Sequence, residues 1–162
     1  MSKKKILVSA CLLGELVRYN SEILPDCPSI LKDWEREGRL ILVCPEILGG
    51  LPVPRAPSEI QGGEGKDVVA GIAKVINING QNVTNAYLTG AREALRLAEE
   101  NGVEYAILKA HSPSCGNQMI YDGSFTGSFT EGQGVTAALL VHSGIQVFNE
   151  KEIDQIALMI DA

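Results

Sequence analysis

Lys5-Ile6-Leu7-Val8-Ser9-Ala10-Cys11, near the amino terminus of this 162-residue chain, is a short apolar run that ends on a cysteine. Two later runs have the same form: Leu40–Val43 leads into Cys44, and Tyr105–Lys109 precedes Cys115 by a few residues. Such runs predict β-strands that are buried on both faces, as in a parallel sheet. We therefore expect strands at about 5–10, 39–44 and 104–109, and a shorter one at about 145–148.

Helical patterns alternate with these strands. Helices are predicted at 28–37, 84–101 (capped by Thr84), 135–142 and 153–160. The alternation indicates a three-layer, Rossmann-like α/β fold, with helices on both faces of a mostly parallel sheet of about four main strands. The stretch 45–67 is expected to be a long ordered loop, and 67–78 an extended excursion such as a small hairpin. Residues 1–162 are expected to form a single domain.

The composition is that of an ordinary α/β protein, 45% hydrophobic with a net charge of −6. This charge argues against binding to intact nucleic acid, because phosphates attract clustered basic residues. No run approaches the roughly 20 apolar residues of a membrane span, and the apolar stretch after Lys5 is too short for a signal peptide. We expect no membrane association and a cytoplasmic location, where four cysteines are not a disulfide framework.

Three of the cysteines are expected to converge. The carboxyl ends of parallel strands share one edge of the sheet, and ligands bind in the crevice beyond it. Cys11, Cys44 and Cys115 can therefore meet, and three ligands with a vacant position suit a catalytic metal centre. Cys27 precedes a predicted surface helix and is interpreted as incidental.

Polar residues surround two of these cysteines. Glu46 follows Cys44 by two positions, and Arg55 can hold an anionic or carbonyl group through its fork of donors. In Ser112-Pro113-Ser114-Cys115-Gly116, hydroxyl groups flank the thiol. Lys109 and His111 are expected to lower the pKa of this thiol.

The remaining candidates are fewer. Arg18 and Tyr19, early in the first loop, are candidates for lining the same crevice. His111 is interpreted as solvated or as supporting a metal ligand, and His142 as packed or capping a helix. The chain has no P-loop, no Cys-x-x-Cys pair and no Gly-x-Ser-x-Gly elbow, which removes the commonest nucleotide, redox and hydrolase motifs.

Several blocks of the chain together resemble the thiouracil desulfidases, a bacterial family long classed as a domain of unknown function. The resemblance spans about residues 5–150 and is carried by these blocks: Ala10-Cys11-Leu12-Leu13-Gly14 with Arg18-Tyr19, Cys44-Pro45-Glu46 with Gly49-Gly50-Leu51 and Pro54-Arg55, Leu108-Lys109, Ser112-Pro113-Ser114-Cys115-Gly116, and Tyr121-Asp122-Gly123-Ser124-Phe125.

The resemblance implies an enzyme that removes sulfur from a small thiolated nucleobase such as 2-thiouracil, without net redox chemistry, to give the carbonyl and hydrosulfide. It implies a 4Fe-4S cluster held by Cys11, Cys44 and Cys115, with one iron free for the sulfur of the substrate. It also implies that Glu46 and Ser112, with Ser114 as the reserve choice, are catalytic. Arg18, Tyr19 and Arg55 are then candidates for substrate binding.

Two alternatives remain open from the residues alone. The first is a hydrolase that uses zinc on the three cysteines, or a nucleophilic cysteine, with Glu46 activating water. The second is a non-enzymatic protein that binds metal or senses redox state through its thiols.

Overall fold

The structure is a computed structural model, and it describes residues 3–13 and 29–160. Arg18, Tyr19 and Cys27 therefore lie outside the described residues. In chain order the elements are β1 (Ile6–Ser9), a 3₁₀ turn (Ala10–Leu13), α1 (Ser29–Arg36), β2 (Leu40–Val43), α2 (Pro45–Leu48), β3 (Ser58–Gln61), α3 (Gly65–Val69), β4 (Lys74–Asn77), α4 (Thr84–Glu100), β5 (Tyr105–Leu108), β6 (Met119–Tyr121), β7 (Phe129–Glu131), α5 (Val135–His142), β8 (Gln146–Asn149) and α6 (Ile153–Met159).

The central sheet has four parallel strands in the order β2-β1-β5-β8. Ile6 of β1 pairs with Leu40 on one side and with Tyr105 on the other. The predicted α/β fold with four main parallel strands is therefore confirmed.

Alternate residues of the strands face opposite layers, as a period of two requires. Ile6 and Val8 pack with Leu31 of α1 and Ile156 of α6. Leu7 packs on the other face with residues of α4 and α5, among them Leu140. Helices therefore cover both faces, and a sheet buried in this way needs the near-continuous apolar runs seen in the sequence.

The order of the strands creates a reversal point between β1 and β5. The chain leaves β1 for β2 on one side and later returns to place β5 on the other side of β1. In open α/β sheets the crevice at such a point, beyond the carboxyl ends of the strands, is where ligands bind. The segments that follow β1 and β5 carry Cys11 and Cys115.

Two small antiparallel sheets lie outside the central one. In the first, β3 pairs with β4, with Ser58 opposite Asn77, and the segment of chain that connects the two strands contains α3. The second is the β6–β7 hairpin. The sequence predicted an excursion at 67–78, but its first strand lies earlier, within the stretch interpreted as a loop at 45–67. That stretch also contains α2. The β6–β7 hairpin was not predicted.

The start of α4 also differs from the prediction. Val83, not Thr84, is the N-cap residue. The hydroxyl of Thr84 accepts a hydrogen bond from the backbone N–H of Val75 and donates one to the side chain of Asn82, so it joins α4 to β4 instead. Within the described ranges, every helix is too short or too polar to cross a membrane.

Candidate active site

A cavity of about 360 Å³ opens at the carboxyl edge of β1, β2 and β5. Cys11, Cys44 and Cys115 all line it, so three thiols from distant parts of the chain reach one space. All three are free of disulfide bonds. The site residues that the structure brings together here also include Glu46, Arg55 and Ser112.

Each thiol is placed by the turn that ends its strand. Cys11 lies in the 3₁₀ turn directly after β1. Cys44 is the N-cap residue of α2, where its extended backbone changes to helix (φ −125°, ψ 101°). Cys115 lies in a turn held by Ser112, whose Oγ accepts hydrogen bonds from the N–H groups of Ser114 (3.2 Å) and Cys115 (2.6 Å).

Burial governs the ionisation of the thiols. It raises the pKa of Cys115 to about 12, with further increases from Glu46 and from the other two thiols, against a hydrogen bond from Ser9. Burial also raises the pKa of Cys44. The expected lowering of the Cys115 pKa by Lys109 and His111 is therefore wrong.

The reason lies in the partners of these two residues. The ammonium group of Lys109 pairs with Glu150 at 3.0 Å. Burial, with Lys109 and Lys151 nearby, lowers the pKa of His111, so its ring is neutral at pH 7.

Glu46 is held beside the thiols by a buried ion pair. Nε and Nη2 of Arg55 lie 2.8 and 2.7 Å from Oε2 of Glu46, and both side chains are largely buried. Nη1 of Arg55 donates to the carbonyl of Pro52 at 3.1 Å. Arg55 lines the cavity as expected, but these contacts direct its guanidinium group to Glu46. Arg55 is therefore better placed to orient Glu46 than to bind a substrate directly.

Tyr87, on α4, was not predicted as a site residue. It lines the cavity and is almost completely buried. Burial, and after it the Glu46 carboxylate, raise the pKa of Tyr87 well above its ordinary value, so the hydroxyl lies close to that carboxylate. In the sequence Tyr87 belongs to the apolar stripe of a helix, so only its hydroxyl distinguished it from the core residues around it.

The helix that carries Glu46 is pressed against α4. A Cβ atom at Gly90 would lie 1.8 Å from the carbonyl oxygen of Pro45, and one at Gly49 would lie 1.9 Å from that of Ala86. Glycine inside a helix costs about 1 kcal/mol relative to alanine. At position 90 the absence of a side chain outweighs this cost, because it allows α2 to approach α4 closely. This close packing fixes the position of α2 and of Glu46.

The two serines of the Cys115 turn have different environments. Ser112 lines the cavity. Ser114 is completely buried, does not line the cavity and is hydrogen bonded to Thr136 at 2.8 Å. The structure therefore favours Ser112 over Ser114 as the residue that meets a substrate. His142 lies exposed in the last turn of α5, away from the cavity.

The donor set fits an iron–sulfur cluster. The cavity is lined by three thiols, the usual ligands of such clusters, and by His111. Nowhere in residues 3–13 and 29–160 do three His, Cys, Asp or Glu side chains lie close enough to hold a single metal ion.

Comparisons with known proteins agree with this geometry. The model of the 2-thiouracil desulfurase family matches residues 6–152. The uncharacterized protein YbbK of Bacillus subtilis (strain 168) is 43% identical over 151 residues, covering 93% of this chain and 99% of that protein. The solved structure of the 4Fe-4S-dependent thiouracil desulfidase TudS (DUF523Vcz) matches with a TM-score of 0.90 and 42% identity, over 98% of this chain and 99% of the other. The chain belongs to the 2-thiouracil desulfurase family.

Proposed function

We propose that this protein is a 4Fe-4S-dependent desulfidase that converts the thiocarbonyl of a small uracil-type ring into a carbonyl. The observation that carries this proposal is the arrival of Cys11, Cys44 and Cys115 at one cavity that also contains a held carboxylate, Glu46. Membership of the family and the likeness to TudS support the same reaction. The substrate is a free small molecule, since the chain is acidic overall.

In this proposal the three thiols hold the cluster. When bound, the cluster supplies an iron with a free position, a soft Lewis acid for a thiocarbonyl sulfur that makes the adjacent ring carbon more electrophilic. Burial raises the pKa of Cys44 and of Cys115, so protons must leave these thiols as the cluster is bound.

Glu46 is proposed as the general base. Its carboxylate takes a proton from a water molecule whose oxygen attacks the ring carbon that bears sulfur. The C–S bond then breaks, so C=S and H₂O become C=O and H₂S without any change of oxidation state. General base catalysis of this kind contributes about 10²- to 10⁴-fold to the rate.

Two neighbours keep Glu46 in position for this step. Arg55 fixes Oε2 through two nitrogen atoms, and Tyr87 lines the cavity close to the same carboxylate. Ser112 lines the cavity and holds the turn of Cys115, and we propose that its hydroxyl orients the substrate.

Anaerobic reconstitution with iron and sulfide tests the proposal. We expect a brown protein with broad absorbance near ~400 nm, and loss of the thione absorbance of 2-thiouracil with release of one sulfide per uracil formed. Cys44→Ala should lose the cluster, whereas Cys27→Ala, as the matched control, should keep both cluster and turnover.

Three results would contradict parts of this proposal separately. Stoichiometric zinc without the iron–sulfur absorbance would contradict the cofactor. A loaded protein that leaves 2-thiouracil intact would contradict the activity. Full turnover by Glu46→Gln would contradict only the role of Glu46.

A further inference from the structure

Residues of β3, of β6 and of the loop after β6 line one part of the cavity, and one carboxylate joins the two small sheets. Glu59 on β3 is a buried residue, and its Oε1 accepts hydrogen bonds from the N–H groups of Gly123 (2.8 Å) and Phe125 (3.2 Å) in the loop between β6 and β7. The side chain of Gln61 donates to the carbonyl of Gly123 at 3.0 Å. This loop, residues 122–128, is therefore hydrogen bonded to β3 through Gly123 and Phe125.

The docking also needs a glycine. Gly123 has φ +93°, and a Cβ atom there would lie 2.7 Å from the carbonyl oxygen of Ile60. Within the loop, Asp122 accepts hydrogen bonds from both the N–H and the hydroxyl of Ser124. These two hydrogen bonds stabilise the turn at Asp122–Ser124.

Phe125 has an unusual backbone in this loop. Its φ is +58°, in the left-handed region that bulky side chains rarely adopt. The bond from its N–H to Glu59 holds it there, and the residue lines the cavity together with Tyr121. Strained residues of this kind persist where the surrounding structure enforces them, and they cluster at functional sites.

On the basis of the proposed function, we infer that Phe125 is a specificity-determining residue that stacks on the flat ring of the substrate. Glu59 is the positioning residue that holds Phe125 against the cavity. The thiols and Glu46 recognise the reacting thiocarbonyl, which many thioamides share, whereas an aromatic wall favours a planar conjugated ring over a saturated one. Stacking between a base and an aromatic side chain is a common source of affinity that is tolerant of ring substituents.

The test compares two ligands that differ in planarity but not in their carbonyl and N–H groups: uracil and 5,6-dihydrouracil. Neither carries sulfur, so isothermal titration calorimetry on the reconstituted protein measures binding without turnover. We expect the wild type to bind uracil about tenfold more tightly than dihydrouracil. Phe125→Tyr should keep this preference, and Phe125→Leu should reduce it to less than about twofold.

These variants control for folding. Tyrosine and leucine both have a Cβ atom, so each carries the same backbone strain at φ +58° as phenylalanine. Ile72→Ala, which truncates an exposed apolar side chain outside the cavity lining, should leave the preference unchanged. Glu59→Gln keeps an acceptor oxygen and should retain the preference, whereas Glu59→Ala should lose it and raise the KM for 2-thiouracil about tenfold with little change in kcat.

The proposal is overturned if Phe125→Leu discriminates between the two rings as well as the wild type, or if the wild type shows no preference. If Glu59→Ala does not fold, the Phe125 variants decide the outcome. Failure of the proposed function would be visible separately, as a wild-type protein that prefers uracil to dihydrouracil and yet releases no sulfide from 2-thiouracil.

Discussion

Removal of Arg55 is expected to destabilise the protein more than removal of any exposed arginine. The Arg55 and Glu46 side chains are only 6% and 13% exposed, and two nitrogen atoms of Arg55 meet Oε2 within 2.8 Å. Breaking a buried ion pair by deleting one partner costs about 3–5 kcal/mol, because the other charge is left without compensation. The remaining exposure of Glu46 lets some water reach it, so we expect Arg55→Ala to cost about 3 kcal/mol.

Urea unfolding of protein with matched cluster content measures this cost. For a chain of this length, about 3 kcal/mol corresponds to a fall in Tm of roughly 6–12 °C. Arg96→Ala is the matched control, since Arg96 is 56% exposed and pairs with Glu93 and Glu100 on the surface of α4. Exposed pairs of this kind contribute about 0–1 kcal/mol.

A double-mutant cycle separates the ion pair from general damage. Arg55→Ala combined with Glu46→Ala should cost less than the sum of the single changes by at least about 1 kcal/mol, because the double variant leaves no unpaired charge. Arg55→Ala should also lower kcat more than it raises KM, since its effect acts through Glu46. An Arg55→Ala protein as stable as Arg96→Ala would refute the reasoning.

Three further predictions concern the same cavity. The pKa of Cys115 is about 12 in the folded state and about 9.0 in the unfolded chain, so the thiol loses its proton more readily when the protein unfolds. Metal-free protein should therefore become less stable as the pH rises from about 9.0 to about 12. For this one group the free energy of unfolding falls by at most about 1.4 kcal/mol per pH unit. Urea unfolding over a series of pH values should show a smaller fall for Cys115→Ala. Gly90→Ala should destabilise the protein and lower kcat, because the added Cβ atom would clash with the carbonyl of Pro45. Helix propensity alone implies the opposite, a stabilisation of about 1 kcal/mol, and that result would contradict the close approach of α2 and α4. Steady-state kinetics of Ser112→Ala should show a loss of at least tenfold in kcat, whereas Ser114→Ala should change kcat little, and equal losses would remove the distinction between the two hydroxyls.

The central sheet was predictable because its strands are buried on both faces. Their apolar runs, such as Ile6–Ser9, are distinct in the sequence, and the helices between them show periods of three to four residues. The β6–β7 hairpin has no such signal, since Phe129–Glu131 is exposed along its whole length. Ser58–Gln61 mixes buried polar residues with one apolar residue, so β3 resembled a loop.

The site was predictable from topology but not in its electrostatics. The positions of Cys11, Cys44 and Cys115 after three strands were enough to bring them to one edge. The pKa of Cys115 was misjudged because sequence proximity of Lys109 suggested an effect that burial and the Glu150 pair outweigh. Tyr87 was missed because its contact with Glu46 depends on the close packing of α2 on α4, which no local pattern reveals.

The two small sheets, which contribute residues to the lining of the cavity, are separate from the central sheet that positions the three thiols. Glu59 and the loop that it anchors can therefore be exchanged or redesigned without disturbing the strand ends of the central sheet. A change of substrate ring therefore need not alter the strand ends that carry the three thiols. For protein engineers, residues 122–128 are the segment to randomise first when a desulfidase for a different ring is wanted.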